Sequence, residues 1–244
     1  MRSEKHSVLV IGAGGLGCAA GIALARSGIE LDVTFVDPDR VERSNLHRQV
    51  LFDDRDVGHP KAERAAEKMH AISGGAITAR GVIDRVDVTN AEALSRAHDV
   101  VIEGTDRHES KFLAADAAAL ARTPVVHGGV VRWAGWAMAS TPFESACLRC
   151  VFEDVPRDTD VETCAEAGVI GPAVGIIGAL EAALAVQILE GRREAAGVLH
   201  RFDVRTASAR TSRVKSRASC PLCGERATIR ALDEDRYAAR ACAT

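Results

Sequence analysis

The sequence is poor in aromatic side chains, with one Tyr, two Trp and six Phe among 244 residues, so its core must be built mainly from Ala, Val, Leu and Ile. Neither sign of charge dominates. A formal charge of −3 gives no general electrostatic pull towards nucleic acid or an acidic membrane surface, and neither is expected as a partner. No signal peptide opens the chain, because MRSEKHS runs directly into VLVIG. No apolar run is uninterrupted for long: VIGPAVGIIGALEAALAVQIL is broken by Pro172, Glu181 and Gln187 and reads as a buried helix rather than a membrane span. The odd count of seven cysteines argues against a secreted disulfide framework. There is no internal repeat, no grouping of the eight histidines at metal or triad spacing, and no G-x-x-x-x-G-K-[ST] phosphate loop. A cytoplasmic protein is expected.

What is present is an alternation of β-rich and helix-like runs. Strands are expected at 7–12, 31–37, 76–84, 98–104 and 124–128, and helices at 15–27, 59–72, 90–96 and 108–121. This pattern predicts an α/β fold with a doubly wound, Rossmann-like, mainly parallel sheet. Beyond about residue 130 the pattern changes. Residues 130–141, 199–204 and 207–214 suit further strands, a long helix is expected over 172–190, and 147–168 reads as a loop. The chain is therefore expected to form a single domain over 1–244. Residues 1–130 make a nucleotide-binding half, and 131–244 a partner-binding half stapled by metal.

IGAGGLG (11–17) closes the first strand and opens the first helix. Gly12, Gly14, Gly15 and Gly17 let the backbone approach a phosphate at the helix start. Asp37 ends the second strand, where a carboxylate can accept from ribose hydroxyls. These two features indicate an adenine nucleotide without separating NAD from ATP. Asp39, Asn45, Arg48, Gln49 and Lys61 follow. Two cations near a phosphate loop suit a triphosphate with a pyrophosphate leaving group. Asp106, at the end of the fourth strand, suits Mg²⁺. The bland alternative makes Arg48 and Lys61 solvated surface cations and Asp106 a helix cap.

Cys147 and Cys150 in SACLRC, with Cys220 and Cys223 in SCPLCG, form two C-x-x-C pairs. Four thiolates make a closed tetrahedral Zn²⁺ site, structural because no position is open to substrate. Cys164 stands alone in a polar loop, whereas Cys18 and Cys242 are expected to be inert.

GAGGLG, then DPDRVERSNLHRQ, then GHPKA, then TD, followed by CLRC, CAEAGVIGP and CPLCG, resemble in sequence and order the ThiF/MoeB family of sulfur-carrier-protein adenylyltransferases, over residues 8 to about 235. The resemblance implies that Asp37 holds the ribose, Arg48 and Lys61 engage phosphates, and Asn45 and Gln49 line the nucleotide site. It implies that Asp106 binds Mg²⁺ and orients the reacting carboxylate. ATP would then adenylate the C-terminal glycine of a small ubiquitin-like sulfur carrier ending in Gly-Gly, with sulfur from a separate donor and the enzyme a homodimer. In several members of the family the position of Cys164 takes the acyl group or sulfur covalently, while others stop at the adenylate. The chain departs from the pattern at Arg107, usually Asn, and Lys111, usually Arg, and has only a short arm containing Arg2 before its first strand. Two other readings share part of this signature: a nicotinamide-dependent oxidoreductase, which leaves Arg48, Lys61 and the cysteine pairs unexplained, and an inactive carrier-binding scaffold.

Overall fold

The computed structural model describes residues 5–156 and 168–237. One eight-stranded sheet runs through it in the order β3-β2-β1-β4-β5-β6-β7-β8. β1 (His6–Ile11), β2 (Leu31–Val36), β3 (Thr78–Val82), β4 (Val100–Glu103) and β5 (Val125–Val131) are parallel. β6 (Ala134–Ser140), β7 (Val198–Asp203) and β8 (Ser208–Arg213) continue the sheet antiparallel. The helices are α1 (Gly15–Ala25), α2 (Lys61–Ile72), α3 (Ala91–Arg96), α4 (His108–Ala121), α5 (Leu148–Val151), α6 (Gly171–Leu189) and α7 (Glu234–Tyr237).

Strand periodicity decides which core each residue enters. Val8, Val10, Val100 and Ile102 pack with α1, α2 and α6. Leu9, Ile11 and Val101 point the other way, against Leu94 of α3 and Ala114 and Ala118 of α4. Burial on both faces explains why these strands read as continuous apolar runs. α1 and α6 pack closely because both are rich in Ala and Gly. A Cβ on Gly178 would stand 2.5 Å from the Leu16 carbonyl oxygen.

Among the described residues α6 is the one helix long and apolar enough to cross a membrane. It packs on α1, β5 and β6 and buries Glu181 completely. The stretch from 147, expected as loop, instead opens with the single turn of α5. Nothing in the local sequence demands that turn; it is held by long-range contacts of Arg149 and the cysteines described below.

Candidate active site

The carboxyl ends of β1, β2 and β4 open onto a cleft of about 460 Å³, within the range of about 300–1,000 Å³ usual for small-molecule sites. Its floor is the glycine loop. Gly12 adopts φ +89°, and a Cβ on Gly17 would lie 2.0 Å from the Gly12 oxygen, so any larger residue at 17 would push α1 off the loop. Gly12, Gly14 and Gly15 line the cleft, whereas Gly17 lies beneath it as packing.

Asp37 is 6% exposed; its carboxylate accepts from Ala13 N at 2.7 Å and Asp39 N at 2.8 Å. It thus ties the end of β2 to the glycine loop and still faces the cleft. Burial raises its pKa above the ordinary carboxylate value, opposed by those backbone donors and Lys61.

The segment from 38 to 60 folds over the same cleft. Arg40 pairs with Pro60 in an antiparallel bridge, and Val41 N donates to His59 O at 2.9 Å. A reciprocal cap between Asp53 and Asp56 closes the turn, with buried Asp56 accepting from Arg64 and Lys68 of α2. This bracing brings Asp39, Asn45, Arg48, Gln49 and Lys61 onto one wall. The Lys61 ammonium sits 3.0 Å from Asp39 Oδ2, while among the described residues Arg48 Nη1 meets only His47 Nε2, at 3.3 Å. Gln49 is 3% exposed and its Oε1 has no hydrogen-bond partner among the described residues. Asp106 and Arg107 complete the opposite wall. Arg107 pairs with Glu109 at 3.5 Å.

Lys111 does not join this cationic set. Its ammonium is buried, donating to Glu103 Oε2 at 2.9 Å and to the carbonyls of Thr105 and Gly128 at 2.8 and 2.5 Å. All three donors are thereby used. Glu103 is fully buried; desolvation alone would raise its pKa, but Lys111, then His127 at 3.7 Å and Thr105, hold it down at about 2. This buried pair shapes the turn leading to Asp106, and nothing in a linear pattern marks it. Arg85 and Glu42 also line the cleft; the sequence does not single them out, since both are exposed charged residues in loops.

A second, larger groove of about 970 Å³ runs across β5, β6 and β7. Trp136, Val131 and Ala134 face it from the sheet on the α4 side, and Phe112, Leu148 and Phe152 line it as well. The Trp136 and Phe152 rings are 5.3 Å apart. The groove and the cleft share Asp106.

Beyond the groove the four paired cysteines converge, with their sulfurs all within 4.8 Å of one another. Cys147 Sγ lies 3.8, 3.5 and 3.4 Å from those of Cys150, Cys220 and Cys223. A tetrahedral ion with bonds of about 2.3 Å requires sulfur separations of about 3.8 Å, so the cluster is dimensioned to hold a metal ion. The hydrogen bond with Cys223 and burial push the Cys147 thiol well up, while Cys223 is drawn down to about 5, chiefly by Cys147. Cys18 is pushed up to about 12 by burial and is inert as a nucleophile. Cys164 and Cys242 lie outside the described residues.

Residues 2–223 match the ThiF family. The sulfur carrier protein adenylyltransferase of Thermus thermophilus is 37% identical over 237 residues, covering 95% of this chain and 87% of that protein. The SAMP-activating enzyme E1 of Haloferax volcanii is 36% identical over 225 residues, covering 92% and 82%. A crystal structure of E. coli MccB with MccA-N7isoASN superposes with a TM-score of 0.77 at 20% identity, over 90% of this chain and 67% of that one. It shows the shared fold.

Proposed function

The chain belongs to the ThiF family, and from that premise we propose that it uses ATP to adenylate the C-terminal glycine of a small ubiquitin-like sulfur-carrier protein. The observation that carries this reading is the meeting of a nucleotide-sized cleft and an apolar groove at Asp106. A nucleotide alone would need only the cleft. A flexible tail lying in the groove delivers its carboxylate to the cleft beside that residue.

In this reading Asp37 accepts from the ribose, and the glycine loop and the start of α1 receive phosphate. A carboxylate oxygen of the tail attacks the α-phosphorus. The bond from that phosphorus to the bridging oxygen of the β-phosphate breaks, and pyrophosphate leaves with the electron pair. The nucleophile is already ionised at neutral pH, so no general base is required. Arg48, which has no carboxylate partner among the described residues, neutralises the departing charge, and Lys61 joins it by exchanging Asp39 for phosphate. Mg²⁺ would screen the phosphate oxygens, and Asp106, exposed on the cleft wall, is the residue to hold it. Zn²⁺ suits the four cysteines and has a structural role. A Gly-Gly terminus fits the approach because it presents little beyond backbone. Where Cys164 takes part, its thiolate attacks the acyl carbon and AMP leaves; sulfur comes from a separate donor.

The outward stripe of α6, made of Pro172, Ile176, Ala179 and Ala183, is the apolar surface offered for a homodimer, and the enzyme is assigned to the cytoplasm. Exchange of labelled pyrophosphate into ATP tests the activity. It is expected only when a Gly-Gly-ended ubiquitin-fold carrier is supplied, and Arg48→Ala is expected to slow it by about 100-fold or more. Carrier binding without any exchange would instead identify an inactive scaffold.

A further inference from the structure

Arg149 lies between the first two metal-site cysteines, yet it is 2% exposed and among the largest buried side chains in the protein. It donates from Nε and Nη2 to both oxygens of Asp116 at 2.8 and 2.9 Å. Asp116 is itself fully buried, and Tyr237 donates its hydroxyl to Oδ2 at 2.7 Å. The guanidinium also sits 4.9 Å from the centre of the Phe112 ring. A fork gripping both oxygens of a carboxylate fixes orientation as well as distance.

The ends of this pair belong to two different elements that line the groove. Asp116 and Phe112 are on α4, the helix that follows Asp106. Arg149 belongs to α5, where its neighbour Leu148 and the adjoining Phe152 also line the groove. The α5 turn is in turn gripped by the cysteine cluster: Arg217 N donates to Cys150 Sγ at 3.5 Å, and Arg217 Nη2 to the Arg149 carbonyl at 2.6 Å. A continuous chain therefore runs from the four sulfurs through Arg149 and Asp116 to the helix that begins beside Asp106.

We infer that Arg149 is a positioning residue: through Asp116 it makes the occupied metal site set the width of the acyl-tail groove. The geometric part stands alone, whereas its bearing on the tail rests on the function proposed above. A tail in a groove of the wrong width loses contact along its whole length. The nucleotide cleft, whose floor and cationic wall come from β1, β2 and the 38–60 segment, shares only Asp106 with the groove among the described residues and changes little.

The test uses the full chain with Trp133→Phe, so that Trp136 alone reports the groove by fluorescence. Three forms are compared: this background, Arg149→Met, and the triple change Arg149→Met/Asp116→Leu/Tyr237→Phe. The triple change replaces the buried charges and the hydroxyl by apolar groups, a substitution that proteins often tolerate. Removal of metal by a chelator should raise acrylamide quenching of Trp136 in the background form, and have no further effect in either variant. With the Gly-Gly-ended carrier that supports exchange, the triple variant should show a KM for carrier raised about tenfold and a KM for ATP changed less than about twofold. A triple variant with background quenching and an unchanged carrier KM would overturn the inference, leaving Arg149 a stabilising residue only. So would chelation that acts equally on all three forms. If no carrier supports exchange in the background form, the proposed function fails while the quenching comparison still decides the geometric claim.

Discussion

Glu181 is completely buried, and neither carboxylate oxygen has a hydrogen-bond partner among the described residues. A Cβ on Gly128 would lie 2.5 Å from its Oε1, so the carboxyl is pressed onto β5. Burial raises its pKa well above 4.5, the Lys111 charge opposing. The folded protein therefore binds a proton that the unfolded chain releases above about pH 4.5, and stability contributed below that pH is lost as pH rises towards the folded value, by about 1.4 kcal/mol per unit. Glu181→Gln keeps the shape and removes the titration. Its unfolding midpoint is expected to exceed that of the unchanged protein at pH 8 and to vary less between pH 5 and 8; equal slopes in denaturant titrations would contradict this. Glu103 works in the opposite sense. Lys111 holds its pKa at about 2, so its contribution is present above the unfolded value and lost as pH falls from about 4.5 through 2. No signal in the sequence separates these two glutamates, because burial and partners, not residue type, decide which is protonated.

At the scale of elements, the glycine loop and α1 behave as one unit. Gly17→Ala would place a methyl group within 2.0 Å of the Gly12 oxygen, forcing α1 from the loop at a cost of about 1–3 kcal/mol. Loss of nucleotide affinity should accompany the fall in melting temperature. Gly175 is a control within a helix: beyond the backbone of α6 itself, no atom lies within 4 Å of the place a methyl group would take, and Gly175→Ala should stabilise by up to about 1 kcal/mol. These elements are legible in the sequence because parallel strands buried on both faces are short, continuous and apolar, and the loop between β1 and α1 tolerates little but glycine. The 38–60 segment is legible only as a set of polar residues; its shape depends on Asp53, Asp56, Arg64 and Lys68, which are ordinary surface residues to any local reading. Lys111 shows the same limit. The sequence marks it only as a departure from the family's arginine, whereas Glu103, Thr105 and Gly128 draw it inward. The α5 turn has no local signature because its contacts are made with distant parts of the chain.

Across the whole molecule, the cysteine cluster joins the loop after β6 to the segment after β8. Cys147, Cys150, Cys220, Leu222 and Ile229 form a small core separate from the two beside the sheet. If the cluster holds zinc as proposed, Cys220→Ser should lower the zinc content, and limited proteolysis should cut first beyond residue 214. The helical and sheet signal in far-ultraviolet circular dichroism should largely persist, because the cores flanking the sheet do not include the cluster. Simultaneous loss of all secondary structure would contradict a local staple.

In the proposed adenylation an oxygen of the carrier's terminal carboxylate becomes bonded to the α-phosphorus of ATP. A Gly-Gly-ended carrier whose terminal carboxylate contains heavy oxygen, incubated with enzyme, Mg²⁺ and ATP and then cleaved at the acyl carbon by hydroxylamine, measures this directly by mass spectrometry of the nucleotide. Adenylation should yield AMP bearing one heavy oxygen, together with unlabelled pyrophosphate. Label in inorganic phosphate with ADP, or AMP without label, would contradict it.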